Sequence, residues 1–414
     1  MEVFGLVLIT IILALYLIKA ARSGSRVGIY LCGVYLFSCI IAYLIVLDKS
    51  NRIEYSLFSS IAFIGTLSFY LIPFLSRFPQ IDDKLSPRSI RRFVFIGYSV
   101  SIVLLIGDIL ITSKLQEVAA VGFAEARVMG YNDDPTLTSF TFTQHIGHSI
   151  LRWFSGLSYL LIIMFFYAMA FVPKKTFLKF LLAISSLSAG YFGLCSAGRT
   201  RLMYWFLFFI MAYMLFGRYL SKKSKKIIRL SIVVFASIVV AFFVLITLLR
   251  SELQGIETND FLTAYAGQPI VNFCTYIEDL EPPSFTMYRV LPLSSTIVSG
   301  RFDLLNYQSF VYSRTGFEIN GFNTMIGDFY IDTGFIGMVL ISVVFCFITI
   351  NLLKRRRLRF YHLGLLTILL QIPLFGIFYY SLWQMESSVC SIMTILFGIF
   401  ITIPNNKTKQ VYNG

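Results

Sequence analysis

Arg152 and Arg199 stand at the ends of long apolar runs, where a charge is costly unless it faces a cavity or a partner. Arginine keeps its charge in a low-dielectric setting and grips phosphate oxygens through a two-pronged fork that lysine lacks. The chemistry such residues suit is recognition of an anion. Arg201 and Arg52 sit in similar places, but snorkelling of the long side chain to the interface is enough to explain them. A second group lies in residues 316–337. There Asn323, Thr324, Asp328 and Asp332 precede an apolar run, among glycines at 316, 321, 327, 334 and 337. Glycines permit tight turns and close helix approach, and this mixture of amide, carboxylate, hydroxyl and aromatic groups suits sugar hydroxyls. The plainer reading of the same run is a helix start capped by Asn323 or Asp328.

The elements that hold these residues must lie in a membrane. Of 414 residues, 57% are hydrophobic and 14% charged, and the mean hydropathy is +0.77. A soluble domain carries about 25% charged residues, so this chain lacks the charge to cover a water-facing surface. That excludes a soluble enzyme, a disordered tail protein and a nucleic-acid module. On a soluble domain the formal charge of +14 would point to nucleic acid. On a membrane protein it follows from basic cytoplasmic loops. Of the six cysteines, Cys32, Cys39, Cys346 and Cys390 lie in apolar runs, Cys195 ends one, and Cys274 sits in a long polar segment. Neither a disulfide framework nor a metal-type spacing follows.

A helix needs roughly 20 apolar residues to cross a bilayer. Eleven runs meet or approach that length, at 3–18, 29–47, 57–76, 93–111, 151–172, 177–195, 203–220, 230–249, 331–350, 363–380 and 389–403. The predicted fold class is an all-α polytopic membrane protein with about eleven transmembrane helices, ten to twelve if a run is merged or split. The first run does not read as a cleaved signal peptide, because Lys19, Arg22 and Arg26 follow it rather than precede it. Sorting Lys and Arg by side puts 24 on one face and 11 on the other. The richer face is predicted cytoplasmic, with the N-terminus outside and the C-terminus inside.

The expected organisation is helices 1–4 in 1–112, a first outer loop at 113–149, and helices 5–8 with an outer turn in 150–249. A large outer loop at 250–330 and helices 9–11 with a cytoplasmic tail in 331–414 complete it. The large loop is too long for a connector, and its apolar stretch at 261–277 is expected to form a helix lying at the interface. The outer face is the working face. Its basic residues are 9 Arg and 2 Lys, against 12 of each inside, the skew expected of anion recognition.

Asn323-Thr324 followed by Asp332-Thr333-Gly334-Phe335-Ile336-Gly337 resembles the NT…D-x-G-x-x-G signature of Wzy-type O-antigen polymerases, which join bacterial oligosaccharide repeat units. Ser196-Ala197-Gly198-Arg199 resembles their S-x-G-R turn after a middle span. The motifs cover two short stretches, while hydropathy, span number and a large late outer loop match along the whole chain. The resemblance implies a GT-C-like fold, shared in large part with O-antigen ligases. It implies a membrane glycosyltransferase of the bacterial inner membrane, with its active site facing the periplasm or exterior. The expected reaction moves a growing glycan from undecaprenyl pyrophosphate to the non-reducing end of another lipid-linked repeat unit, without a nucleotide sugar. Expected partners are that undecaprenyl-pyrophosphate-linked oligosaccharide as donor and acceptor, membrane lipid, a chain-length regulator and a flippase, and no nucleic acid. The motif positions carried over are Arg199, Asn323, Thr324, Asp332, Gly334 and Gly337. The family's Arg-x10-Gly spacing also fits Arg289 and Gly300, but it recurs at Arg22 and Gly33 on the inner face and is expected by chance. Arg289 therefore stands on its charge and location.

For such a reaction the departing pyrophosphate needs preorganised cations. Arg199 and Arg289 are assigned to it first. Arg152, Arg250 and Arg314 stand behind them, and with Asn323, Thr324 and Asp332 are expected to bind substrate. A base within reach of the acceptor hydroxyl is drawn from His148, Glu252 and Asp328, with His145 beside them. His145, His148 and Arg152 recur at helical spacing and would share one face. Zinc needs a third ligand at short spacing, and none is present, so no metal and no cofactor is expected. An ordinary interfacial histidine is the plainer reading.

An O-antigen ligase would differ in its acceptor. A polyprenyl-phosphate-sugar glycosyltransferase often shows an acidic pair and a metal in its first outer loop. Asp133-Asp134 fits that pattern, but precedes Pro135 in what reads as a turn. A flippase or transporter would show paired helix breaks in repeated halves, whereas Asp108, Pro73 and Pro373 have no repeat relation.

Overall fold

The computed structural model of the protein describes residues 2–47, 56–82, 85–131, 139–172, 174–254, 258–281, 287–293, 304–315, 323–382 and 384–403. It is a helix bundle. Among the described residues the strands are Gln80–Ile81 and Arg357–Leu358, paired in parallel. Nine helical segments among the described residues are long and apolar enough to cross a membrane, and two shorter apolar helices, Thr200–Phe216 and Phe360–Phe375, join them. The eleven apolar runs thus fall on helical segments, with 151–172 crossing a 3-10 turn between two helices and 177–195 split into two helices. Lipid offers the backbone no partner, so every N–H and C=O must be satisfied within its own segment. The same setting permits apolar residues on every side of a helix. Phe95, Ile109, Val233, Ile336 and Phe347 are exposed around the bundle, where acyl chains would meet them.

Helices α1 (Glu2–Ser23) and α2 (Arg26–Leu47) form a hairpin around Gly24, whose φ of +72° is left-handed and cheap only for glycine. Next comes α3 (Leu57–Leu71), begun by the Ser56 side chain accepting the Ser59 N–H. The 35 residues of α4 (Pro87–Val121) extend about 52 Å, well beyond an about 30 Å hydrocarbon core. Its far end, α5 (Phe123–Tyr131) and the first turns of α6 (Phe142–Phe154) make most of the described part of 113–149 helical, where a loop was expected. A capping box between Thr141 and Gln144 starts α6 early, so Arg152 lies near its last turn and not at the start of a helix. A single 3-10 turn, Ser155–Leu157, then leads into α7 (Ser158–Phe171).

Helices α8 (Thr176–Ser185), α9 (Ser188–Cys195), α10 (Thr200–Phe216) and α11 (Lys222–Gln254) follow. The helix expected over 261–277 forms as α12 (Thr258–Asp279), packed against α2 and α3. There Ile270, Phe273 and Cys274 are buried, and a Cβ on Gly267 would come within 2.6 Å of the Ala42 nitrogen. Cys274 therefore belongs to the core and not to a polar loop, because an apolar face of α12 carries it inward. After α13 (Leu304–Thr315), α14 (Thr324–Leu353) is two helices joined at Gly334, whose φ of +67° and ψ of −177° break the helical path. The bundle ends with α15 (Phe360–Phe375) and α16 (Met385–Thr402).

Candidate active site

Asp332 is fully buried in the first half of α14, four residues after Asp328 and on the same face. Its two oxygens accept the backbone N–H groups of Tyr288 at 2.9 Å, Arg289 at 2.9 Å and Val290 at 3.0 Å. This ties the 288–290 turn to the helix and brings the Arg289 guanidinium onto Asp328 Oδ1, which also accepts Asn323 Nδ2 at 3.1 Å. Asp328 Oδ2 accepts the Tyr380 N–H at 2.6 Å. A buried charge is tolerable when paired and hydrogen-bonded; Asp328 is both, and Asp332 is held by three backbone N–H groups.

The start of α14 is anchored on the turn that follows α15. Asn323 and Thr324 donate their N–H groups to Phe378 O at 3.0 and 2.9 Å, and Met325 donates to Gly376 O at 2.7 Å. These are donors that a helix start leaves without partners of its own. Asn323 occupies the cap position, but its side chain goes to Asp328. The side chain of Thr324 does the capping, accepting the Gly327 N–H at 3.2 Å. Asp328, the other expected cap, is instead the ion-pair partner of Arg289.

Tyr379, in the middle of that turn, lines a cavity of about 170 Å³ with Arg152, Arg201, Glu386, Gln371, Gln384, Tyr159 and Tyr204. The space admits a phosphate-sized head group. Arg152 Nε donates to Glu386 Oε1 at 2.5 Å. Arg201 lies over the Phe192 ring at 4.5 Å and donates to Ser155 Oγ at 3.4 Å. Two guanidinium groups face one carboxylate, so the wall carries net positive charge. Burial pushes the Tyr379 phenol above its ordinary value, which keeps it a neutral hydrogen-bond donor.

The structure therefore divides the residues expected to act together. Arg289, Asp328, Asn323, Thr324 and Asp332 form one buried network, whereas Arg152 belongs to the cavity. Arg199 is buried, donates to Thr247 Oγ1 at 2.9 Å and Phe243 O at 3.2 Å, and lies over the Phe243 ring, so its guanidinium is turned to α11. His148 is held between the rings of Phe140 and Phe192. Arg250 and Glu252 fall on α11 and Arg314 on α13, but their side chains, like Asp133, Asp134, Gly316 and Gly321, lie outside the described residues. The expected roles change accordingly. Arg199 and Arg289, assigned first to the pyrophosphate, are engaged instead with α11 and with Asp328. Asp328 is engaged by three donors, which makes it a poor base; Asp332 spends both oxygens on backbone; and Thr324 spends its hydroxyl as a cap.

Glu386 and Tyr379 were not singled out by sequence, and Arg201, explained there by snorkelling, instead turns into the cavity, over Phe192 and onto Ser155. The available signal was Ser381, Gln384 and Glu386 interrupting the apolar sequence between two runs, with the carboxylate in the first turn of α16. No family model matches the chain, and no curated protein or solved structure matches it either.

Proposed function

We propose that the protein is a polymerase of lipid-linked oligosaccharide repeat units. In this reading it is a GT-C-like enzyme with eleven spans in a bacterial inner membrane, and the cavity opens to the outer face. The observation that carries the reading is the cavity itself, where Arg152 and Arg201 converge with Glu386 among tyrosine and glutamine side chains. A concave site with a few convergent polar groups and net positive charge suits an anionic head group attached to a sugar.

The chemistry follows from those groups. The acceptor hydroxyl oxygen attacks the anomeric carbon of the donor sugar, and the bond from that carbon to the pyrophosphate oxygen breaks with its electron pair on the phosphate. Arg201 and Arg152 neutralise the departing charge from fixed positions. When Arg152 turns to the phosphate, the Glu386 carboxylate is freed from its partner and accepts the hydroxyl proton. The Asp332–Arg289–Asp328 network holds the 376–380 turn, and with it Tyr379, in place. The resemblance of Asn323, Thr324, Asp332, Gly334 and Gly337 to the polymerase signature gives this network the same part in the reading.

The deciding experiment is a gel profile of surface glycan from a strain with and without the gene. A deletion that leaves single repeat units supports polymerisation. Long chains retained on the carrier lipid would make the protein a ligase, and repeat units absent from the outer face would make it a flippase.

A further inference from the structure

The two ends of α2 lie in different surroundings. Its far half packs on α12, and the residue after α12, Leu280, accepts a hydrogen bond from Tyr330 beside the Asp328 network. Its first residue, Arg26, stands at the other end of the bundle, where it joins Arg77 and Arg218 around a cavity of about 290 Å³. Ser23 and Ser25 also line that cavity, and among the described residues none of those lining it is acidic. The basic turn is well held. Ser25 Oγ donates to Phe74 O at 2.6 Å and accepts the Gly28 N–H at 3.1 Å, while Arg218 donates to Phe78 O at 3.4 Å.

Arg26 and Met214 line a second cavity as well, an apolar one of about 790 Å³. It follows one face of α2 through Ile29, Gly33, Phe37 and Ser38, with α10 as its other wall. From Arg26 to Ser38 the helix rises about 18 Å, close to the about 15 Å depth of one leaflet of the hydrocarbon core. Arginines gather at one end and apolar walls fill the rest, again with no acidic lining residue among the described residues.

We infer that the two cavities form one binding site for an anionic membrane phospholipid. Its phosphate lies among Arg26, Arg77 and Arg218, and an acyl chain lies along the α2 groove. The length of the groove fits a single leaflet and not a membrane-spanning polypeptide. A free phosphate would leave the apolar wall unused. Ile377 and Phe378, from the turn that carries Tyr379, also line the groove, but none of the three arginines lines the cavity of Arg152 and Glu386, and the inference depends only on the chain being a membrane protein.

The test uses the full chain in a neutral detergent, offered phosphatidylglycerol, phosphatidylcholine or inorganic phosphate, and followed by native mass spectrometry and thermal unfolding. Three arginines should favour retention of phosphatidylglycerol over phosphatidylcholine by roughly tenfold or more, with a rise in the unfolding midpoint that inorganic phosphate does not produce. The triple variant Arg26→Gln, Arg77→Gln, Arg218→Gln should lose the preference. Gly33→Phe should lower retention of both lipids by filling the groove, since a Cβ there meets nothing within 4 Å. If the triple variant fails to fold, Gly33→Phe decides alone. Equal retention of the two lipids by the wild type, a midpoint shift from phosphate alone, wild-type retention in Gly33→Phe, or a co-purified spanning polypeptide in place of lipid would each overturn the inference.

Discussion

Arg152 and Glu386 lie 234 residues apart in the chain and meet at 2.5 Å on the wall of one cavity. Arg152 is 44% exposed, so the pair adds little to folding, about 0–1 kcal/mol. Its arrangement suits a hand-over, in which an arriving phosphate takes the guanidinium and frees the carboxylate.

Glu386→Gln and Arg152→Ala should each lower polymer synthesis, by about 10²–10³-fold for a lost transition-state contact, while the proteins accumulate normally. Membrane levels and glycan chain length check this together. Full activity in a folded Glu386→Gln would remove the base from the proposed mechanism.

Arg201 and Arg199 separate chemistry from architecture. Arg201→Lys keeps a charge but loses the fork, and short chains on a gel are the expected outcome. Arg199→Lys loses its bonds to Thr247 and Phe243 at a cost of about 1–3 kcal/mol. Its expected signature is a lower unfolding midpoint with chain length preserved. Wild-type chain lengths in Arg201→Lys would sink the assignment of the cavity.

Asp332→Ala leaves three backbone N–H groups near 288–290 without their acceptor, each at a cost of about 1–3 kcal/mol. The protein should fail to accumulate. Asp332→Asn keeps one acceptor oxygen and should recover part of the level, which immunoblotting of membranes would read.

Gly334 holds φ +67° and ψ −177°, a region open essentially to glycine alone. Gly334→Ala should cost about 1–3 kcal/mol, and a straightened α14 would draw Asp328 away from Tyr380. Thermal unfolding in detergent measures the loss, and an unchanged midpoint would contradict it.

Because burial raises the Tyr379 phenol, the group stays protonated through neutral and mildly alkaline pH, and its contribution fades only as pH rises through that raised value. Tyr379→Phe should therefore lower turnover by the same factor at pH 6 and pH 9. A factor that shrinks toward pH 9 would mean the phenol ionises in that range.

Much of the fold was legible because helix formation in lipid is local. Each of the eleven apolar runs needs only its own length and composition to become helical, although 151–172 is shared between α6 and α7 and 177–195 between α8 and α9. The exceptions have local causes that hydropathy does not register. A capping box lengthened α6, and Gly334 divided α14. The apolar face of α12 entered the core although its flanks are polar.

The candidate site was legible by residue type and not by partnership. Arginine, carboxylate and glycine positions near 199, 289 and 323–337 stood out from sequence, as did the expectation of an anion. Which of them meet depends on how helices pack, and in lipid that rests on close contacts at small residues. Such contacts include Gly364, where a Cβ would fall 2.9 Å from Thr394 O, and Gly147, where one would fall 2.9 Å from Ile111 N. These long-range fits turned Arg199 toward α11 and paired Arg289 with Asp328. They also brought Arg201 and Glu386, which no local pattern connects, to one cavity. The sequence by itself determined a membrane bundle and the residue types available to the candidate site; only the packing of distant helices decided which charges face each other and which face an open space.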